Sequence, residues 1–493
     1  MTSRAHPHGG VLSRAAALRT PAQSPLLAVL ALALVFGAVW LALLGATAVT
    51  PPLDNIEQTI WLRSLQWGYY KHPPLPTWLA AGAAAIGGYG PWPIYALGAA
   101  CTLASLLMFW QLLRECRGTA FAHMALLASL CVTFYNGRLT YFNHNIVMMP
   151  FIVGMAWTCW RLTQRPRLAT WALLGLCAGL GMLSKYETAV AGACVLLWWL
   201  HLRGWRHPVH RVGPWLGAGV AALVFLPHVL WLWQHDFAPL HYAEDTSLGV
   251  GLGGGARLSH TLLWLVDWLF NRPILSWLVL GAAWWGQRRS VPSGRADSSD
   301  ESRRFLLLWG AAPALMMALL GLAFGTELQL QWLTAFTLWT VAAAMVCMRV
   351  DWAAPRVLRA AWTTFLTVQI ALAAQLWLSS MHGPESWRSE HWRNFSSDAL
   401  ARAVAEPAHQ ALGGPIDIIS GPYKEAGALA LRLPEHPRVL INGNLSISPW
   451  IEADELKTRR VITLFATRTI SDGVHPAIPG WAWRVGATLA RKP

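Results

Sequence analysis

The chain has 493 residues, of which 55% are hydrophobic and only 13% charged; it carries 31 tryptophans and a formal net charge of +14. That composition excludes an ordinary soluble globular protein. The charge placement argues against a nucleic-acid binder: 25 Lys+Arg face 13 Asp+Glu up to Ser380, the remainder is nearly neutral, and no basic patch interleaves with aromatics.

Met1 to Ala22 is a polar leader bearing Arg4, Arg14 and Arg19, and residues 1–25 read as cytoplasmic. Leu26 to Val49 is uncharged, too long for a signal-peptide core and lacks a good cleavage site, so it reads as a retained first span. Pro51-Pro52 ends that helix and fixes where the next residues stand relative to the bilayer surface. Asp54 and Glu57 follow at i, i+3, on one face of any short helix starting there. Trp67, Tyr69 and Tyr70 suit the headgroup level. A plain alternative for Asp54 is that it caps an interfacial helix. Leu75 to Ile86 is apolar but short and framed by Pro and Gly, which fits a re-entrant or surface-lying helix.

Further spans are expected at Trp92–Leu113, Ala120–Phe134, Ile146–Trp160, Leu168–Leu183, Ala189–Leu202, Trp215–Trp233, Leu262–Trp285, Phe305–Phe324, Trp332–Val346 and Ala360–Trp377. With the first, that makes about eleven. Nineteen Arg residues then fall on inferred cytoplasmic segments, against five basic residues outside: Arg63, Lys71, Arg138, Lys185 and Arg257. Shifting the parity by one span inverts this bias, so the positive-inside rule supports the threading. Arg272 lies inside an expected span near Asp267. Either the two pair in the bundle, or that span begins nearer Pro273.

Residues 286–304 read as a disordered cytoplasmic linker. After Ser380 the texture changes: strands at Ile416–Ile419, Arg438–Ile441 and Val461–Phe465, with helices at His391–Ala405 and Lys424–Leu433, give a small α/β domain over 381–493. It holds no nucleophile motif, metal cluster or phosphate loop; gating or capping a site are its candidate roles. The fold class is therefore a multi-span α-helical membrane domain over 26–380, with interfacial helices in the first outer loop, followed by this outer domain. The seven cysteines lie in or beside apolar runs without C-x-x-C spacing, so neither a disulfide framework nor a zinc site is indicated.

Asp54, then Trp67-Gly68-Tyr69-Tyr70 and His72-Pro73-Pro74-Leu75, resemble the first-loop string of integral-membrane glycosyltransferases that use polyprenyl-phosphate sugars. These are the GT-C class, in the branch with protein O-mannosyltransferases and lipid A aminoarabinose transferases. The string there runs Asp-Glu, a gap, then Trp-Gly-Tyr-Tyr-Asp-His-Pro-Pro-Leu, so Asn55 and Lys71 depart from it. Asn145 stands where many relatives have a second Asp. Leu183-Ser184-Lys185-Tyr186 resembles the end of the corresponding helix, and Phe225-Leu226-Pro227-His228 echoes a stretch leading into the next outer loop.

The resemblance implies sugar transfer from a polyprenyl-phosphate donor to an envelope lipid, glycan or protein on the outer face of a bacterial cytoplasmic membrane. Asp54 is then the base, while Lys71, His72, Lys185 and Arg63 hold the departing phosphate. Tyr69, Tyr70 and Tyr186 seat the prenyl end or the sugar. Glu57, Arg138, His144 and Asn145 are candidate acceptor or sugar contacts. Lys185 alternatively snorkels to lipid headgroups. Glu244, Asp245 and the glycines from Gly249 to Gly255 form either a lid over the site or a solvated hinge; Glu327 to Trp332 is a weaker acceptor candidate. No cofactor is implied, and a divalent metal is not indicated. The rival from another class is a transporter or flippase of lipid-linked sugars, which predicts ionisable groups at mid-membrane depth.

Overall fold

The computed structural model describes residues 25–288, 300–467, 469 and 472–489. The leader up to residue 24 and residues 289–299 of the expected linker lie outside the described residues.

The membrane part is a succession of apolar helices: α1 (Pro25–Thr47), α2 (Leu53–Trp61), α3 (Leu75–Gly87), α4 (Pro91–Arg117), α5 (Thr119–Ser129), α6 (His144–Gln164), α7 (Leu168–Ser184), α8 (Thr188–His201), α9 (Pro208–Gln234), α10 (Ala238–Ala243), α11 (Gly254–Val266), α12 (Ile274–Arg288), α13 (Asp300–Phe324), α14 (Thr337–Cys347) and α15 (Pro355–Leu378). Six of these, α1, α4, α6, α9, α13 and α15, are long and apolar enough to cross a bilayer. A seventh arises if the bent pair at 254–288 counts as one span. The other expected spans appear as apolar helices of 11 to 17 residues: α5, α7, α8 and α14. α14 shows why a short helix suffices: Leu338, Trp339, Val341 and Ala342 are fully buried, so its surroundings are protein.

The Asp267–Arg272 question resolves at a break. Asp267 accepts from Asn271 Nδ2 (2.6 Å) rather than pairing with Arg272, and α12 starts afresh at Ile274, bent by 46° past Pro273. α1 stops short of Pro51-Pro52, and α2 starts directly after them. α3 is the expected short helix of the first loop.

The C-terminal domain begins with α16 (Ser397–Leu412), six residues later than the helical spacing predicts, because 3₁₀ turns at Glu385–Trp387 and Trp392–Asn394 occupy the approach. Then follow β1 (Ile418–Gly421), α17 (Tyr423–Arg432), β2 (Arg438–Ile441), α18 (Glu455–Thr458), β3 (Val461–Ala466), β4 (His475–Pro476) and β5 (Trp481–Val485). Sheet order is β2-β1-β3-β5-β4. β1 lies inside the sheet and pairs in parallel with β2 (Ile418 opposite Arg438) and β3 (Ile418 opposite Val461); β5 runs antiparallel to β3, with Trp483 opposite Leu464. β1 is buried along its whole length, as suits a parallel strand covered on both faces. The antiparallel pair β4–β5 was not among the three expected strands.

This domain shares its core with the first loop. Ile56, Ile60, Trp61 and Tyr69 belong to the same buried cluster as Leu400, Leu429, Ile441 and Trp483. Gly427 makes the approach of α17 to α2 possible: a Cβ there would sit 2.4 Å from Ile56 Cγ2. Arg432 reinforces it, bonding the Val49 carbonyl and pairing with Asp398 (2.9 Å).

Candidate active site

Asp54 lies in the first turn of α2, where a carboxylate is favoured by the exposed amides of the helix start. Its Oδ2 accepts from Asn143 Nδ2 (2.8 Å), and Asn143 in turn caps α6 by accepting from the Ile146 amide (3.0 Å). Asn55, which replaces the usual acid of the string, points away from Asp54. It donates to the Thr140 carbonyl (2.8 Å) and accepts from the Phe142 amide (2.9 Å), clamping α2 to the segment that carries Asn143. A carboxylate could accept from Phe142 but not donate to Thr140, so the amide fits this clamp.

Asp54 borders a cavity of about 430 Å³, lined also by Glu57, Lys71, His72, His144, Asn145, Lys185 and Tyr186 among the expected residues. Lys71 Nζ meets Glu57 Oε1 at 2.6 Å. Burial opposes the Lys71 charge, but Glu57 first, and then Tyr70 and Tyr242, more than offset it and raise its pKa. Burial also raises the Glu57 pKa, with Lys71 offsetting this only in part. Lys185 Nζ lies 2.6 Å from Asn145 Oδ1 and 2.7 Å from Glu187 Oε2. An amide at 145 therefore leaves Lys185 one carboxylate rather than two. His72 stacks near His144, ring centroids 3.9 Å apart. Burial, and then the charges of Lys185 and Lys71, hold the His72 pKa well down; it can offer a neutral N–H but no positive charge.

Two buried polar atoms at this cavity have no partner among the described residues: His144 Nε2 and Glu187 Oε1. An orphan acceptor of this kind is costly unless a bound group satisfies it, and sugar hydroxyls are suitable donors. The far wall comes from Tyr242, Thr246, Ser247 and Leu248 of the expected lid or hinge, together with Gln329, Gln331 and Trp332.

Of the other expected residues, Tyr69, Tyr70, Arg63 and Arg138 stand outside this cavity. Tyr69 is buried, stacked on Trp61 (4.9 Å, 6°), with its hydroxyl donated to the Ser64 carbonyl. Tyr70 packs edge-on against Trp61 and Tyr242, behind Lys71. Arg63 lies over the Tyr89 ring and donates to the His436 carbonyl (2.7 Å), joining the first loop to the outer domain. Arg138 lines two adjoining cavities that share Asp54. Tyr186 lines the main cavity but spends its hydroxyl on His228 Nε2 (2.8 Å), whose Nδ1 lies 2.6 Å from the Trp67 carbonyl. Gly68 lets Trp231 pack against the same turn: a Cβ there would sit 2.3 Å from the indole. The two stretches singled out in the sequence thus meet.

Glu187 and Tyr242 escaped the sequence reading. Glu187 directly follows the Ser-Lys-Tyr run, and that adjacency was the available signal; Tyr242 had none beyond its place in a loop. Among the described residues no cluster of three or more His, Cys, Asp or Glu has the arrangement to hold a metal ion.

Residues 71–231 match the family model described as dolichyl-phosphate-mannose-protein mannosyltransferase. The match begins at Lys71, so Asp54 precedes it. Lipid A galacturonosyltransferase RgtD of Rhizobium johnstonii is 24% identical over 278 residues, 54% of this chain and 54% of that protein. Lipopolysaccharide core galacturonosyltransferase RgtA of the same organism is 25% identical over 227 residues, 43% of each. The chain thus spans about half the length of the curated relatives it matches. ArnT of Cupriavidus metallidurans, solved bound to undecaprenyl phosphate, shares the fold with a TM-score of 0.63 at 14% identity, covering 94% of this chain and 99% of that one. The Archaeoglobus fulgidus oligosaccharyltransferase gives 0.53 at 15% identity, covering 88% and 67%. The resemblance to the GT-C class drawn from the first-loop string is borne out by the family model over residues 71–231, and the fold is shared with ArnT.

Proposed function

We propose that the chain is a membrane glycosyltransferase that moves a sugar from a polyprenyl-phosphate donor to lipid A or the lipopolysaccharide core, with Asp54 as base. The observation that carries this reading is the convergence of Asp54 and two lysines, Lys71 and Lys185, on a single cavity in which Glu57 and Glu187 pair with the lysines and leave Asp54 free of them. The relatives that act on lipid A and on the core, and the fold neighbour solved with undecaprenyl phosphate, supply the substrate classes.

In the reaction an acceptor hydroxyl gives its proton to Asp54 as its oxygen bonds to the anomeric carbon. The bond from that carbon to the phosphate oxygen breaks, and its electron pair leaves with the polyprenyl phosphate. Lys71 and Lys185 stabilise the charge that develops on the leaving group. Before the donor binds, Glu57 and Glu187 keep these buried ammonium groups compensated. His144 Nε2 and Glu187 Oε1 meet the sugar. A single displacement inverts the anomeric centre.

The test uses the full chain in lipid nanodiscs with an undecaprenyl-phosphate-linked sugar and lipid A, followed by mass spectrometry of the lipids. Lipid A gaining one sugar residue, with release of undecaprenyl phosphate, is the expected result. Unchanged lipid A and core lipid across a panel of lipid-linked sugars would overturn the assignment.

A further inference from the structure

Asp54 is shared between cavities of different character. On one side lies the lysine cavity, where each ammonium already has a carboxylate. On the other lie two adjoining cavities of about 280 and 160 Å³, both lined by Asp54, Arg138 and Tyr141. Together they fall in the range of small-molecule sites.

The charge there is only partly compensated, because Asp54 is the one carboxylate among the described residues lining these cavities against Arg138 and Arg393. Arg138 and Arg393 are partly buried, and no ion pair among the described residues includes either. The Arg138 guanidinium rests over the Phe134 and Tyr141 rings, at 5.6 and 5.3 Å. Arg272 lies over the same Phe134 ring at 5.1 Å and is likewise unpaired by a carboxylate. Arg393 donates from Nη2 to Ser379 Oγ, while its Nε is buried without a partner. A partly desolvated guanidinium without an anion is unfavourable, and its planar fork matches phosphate and carboxylate oxygens.

The cluster is built into the fold. The Arg393 carbonyl accepts from the Val49 and Thr50 amides (2.8 and 3.1 Å), and Trp392 Nε1 donates to the Pro51 carbonyl (2.8 Å). The entry to the C-terminal domain is thus strapped to the residues directly before Asp54.

We infer that the Arg138–Arg393 cavities receive the acceptor, and that the acceptor is an anionic glycolipid whose charged group sits on these arginines beside the hydroxyl facing Asp54. This rests on the glycosyltransferase reading and adds to it a side of approach, a substrate charge and two binding residues. Asp54 then stands between donor and acceptor, as direct displacement requires.

The test measures binding to the full chain in detergent with three probes: phosphorylated lipid A, the same lipid A after phosphatase treatment, and undecaprenyl phosphate. The wild type should prefer phosphorylated lipid A at least tenfold. Arg138→Gln and Arg393→Gln should each remove most of that preference while leaving undecaprenyl phosphate binding within twofold, and Arg138→Lys should restore part of it. Arg393 also braces Ser379, so Arg138→Gln decides the question if Arg393→Gln fails to fold. Phosphorylated and dephosphorylated lipid A binding alike, or Arg138→Gln binding lipid A as the wild type does, overturns the inference. So does a parallel loss of undecaprenyl phosphate binding, which would make these arginines donor ligands. A wild type that binds lipid A but not undecaprenyl phosphate refutes instead the donor assignment on which the inference rests.

Discussion

Asp54 has two physical reasons to exist, and they predict different costs. As a helix-start carboxylate it is worth about 1 kcal/mol of stability; as a general base it is worth on the order of 100- to 10,000-fold in rate. Asp54→Asn preserves volume and an acceptor for Asn143, so the variant should insert and fold normally yet show near-absent transfer. Full turnover of the lipid-linked donor by this variant would remove the base from the mechanism. The lysines require more care, because each is paired. Lys71→Gln alone leaves Glu57 buried without a counter-charge, so a loss of donor affinity in that variant is ambiguous. The double variant Lys71→Gln/Glu57→Gln removes both charges and should still lose donor affinity by about 1.5–3 kcal/mol, the range for a charge-assisted hydrogen bond. Undiminished binding of undecaprenyl phosphate in both this variant and Lys185→Gln would make the lysines headgroup anchors. At this scale the first-loop string made Asp54, Lys71 and His72 legible. Glu187 and Tyr242 stayed hidden because the cavity closes only when segments from five distant parts of the chain meet, and neither residue belongs to a patterned motif.

At the scale of elements, the helix bearing Asp54 is held by two clamps, one in each domain. Asn55 ties α2 to residues 140–142, and Gly427 lets α17 lie against Ile56. Gly427→Leu should wedge these helices apart and lower kcat much more than it raises KM for the donor, because Asp54 rides on α2 while Lys71 and Lys185 stand on other segments of the cavity wall. Steady-state kinetics in nanodiscs checks this; a wild-type kcat would show that α2 keeps its place without α17. The sheet behind α17 has its own pH dependence. Burial opposes charge on Asp417 and Glu435, but hydrogen bonds from Arg460 and His409 more than offset it and hold both below their usual range, and Arg438 does the same for Glu455. Carboxylates with depressed folded values contribute stability that is present above their unfolded pKa, about 4, and lost as pH falls through the folded values. Hydrogen exchange of β1 and β3 should therefore accelerate below about pH 4, and Arg460→Gln should flatten that dependence. The parallel strands were readable as buried apolar runs. β5 was not, since Trp481-Ala482-Trp483-Arg484-Val485 resembles the membrane part in composition and gains its strand character from pairing with β3.

For the whole molecule, the distribution of polar contacts divides the helix bundle into two ends. At one end Arg117 reaches Ser302 (3.3 Å), His201 lies 3.5 Å from Glu301, and Gln287 accepts from the Asp351 amide (2.8 Å). At the other stand Asp54, Asn143, Lys185 and the C-terminal domain. The segments richest in arginine gather at the first end, and the short helices α5, α7, α8 and α14 run between the two as the long ones do. Length alone would not propose these helices as passes, yet a helix enclosed by protein need not match the ~30 Å of hydrocarbon that a lipid-facing span must cover. Hydropathy together with the positive-inside bias predicts such passes, since both act on a pass whatever its neighbours. The expected topology therefore has the arginine-rich end in the cytoplasm and the cavity, with its C-terminal domain, outside. Reporter fusions after Ser380 should be active only in an extracytoplasmic compartment, and fusions within Ser293–Ser299 only in the cytoplasm. A cytoplasmic signal from the tail would mean that one short helix turns back within the bundle. That outcome would put Asp54 on the wrong face for a donor presented outside, and the substrate assignment would fall with it.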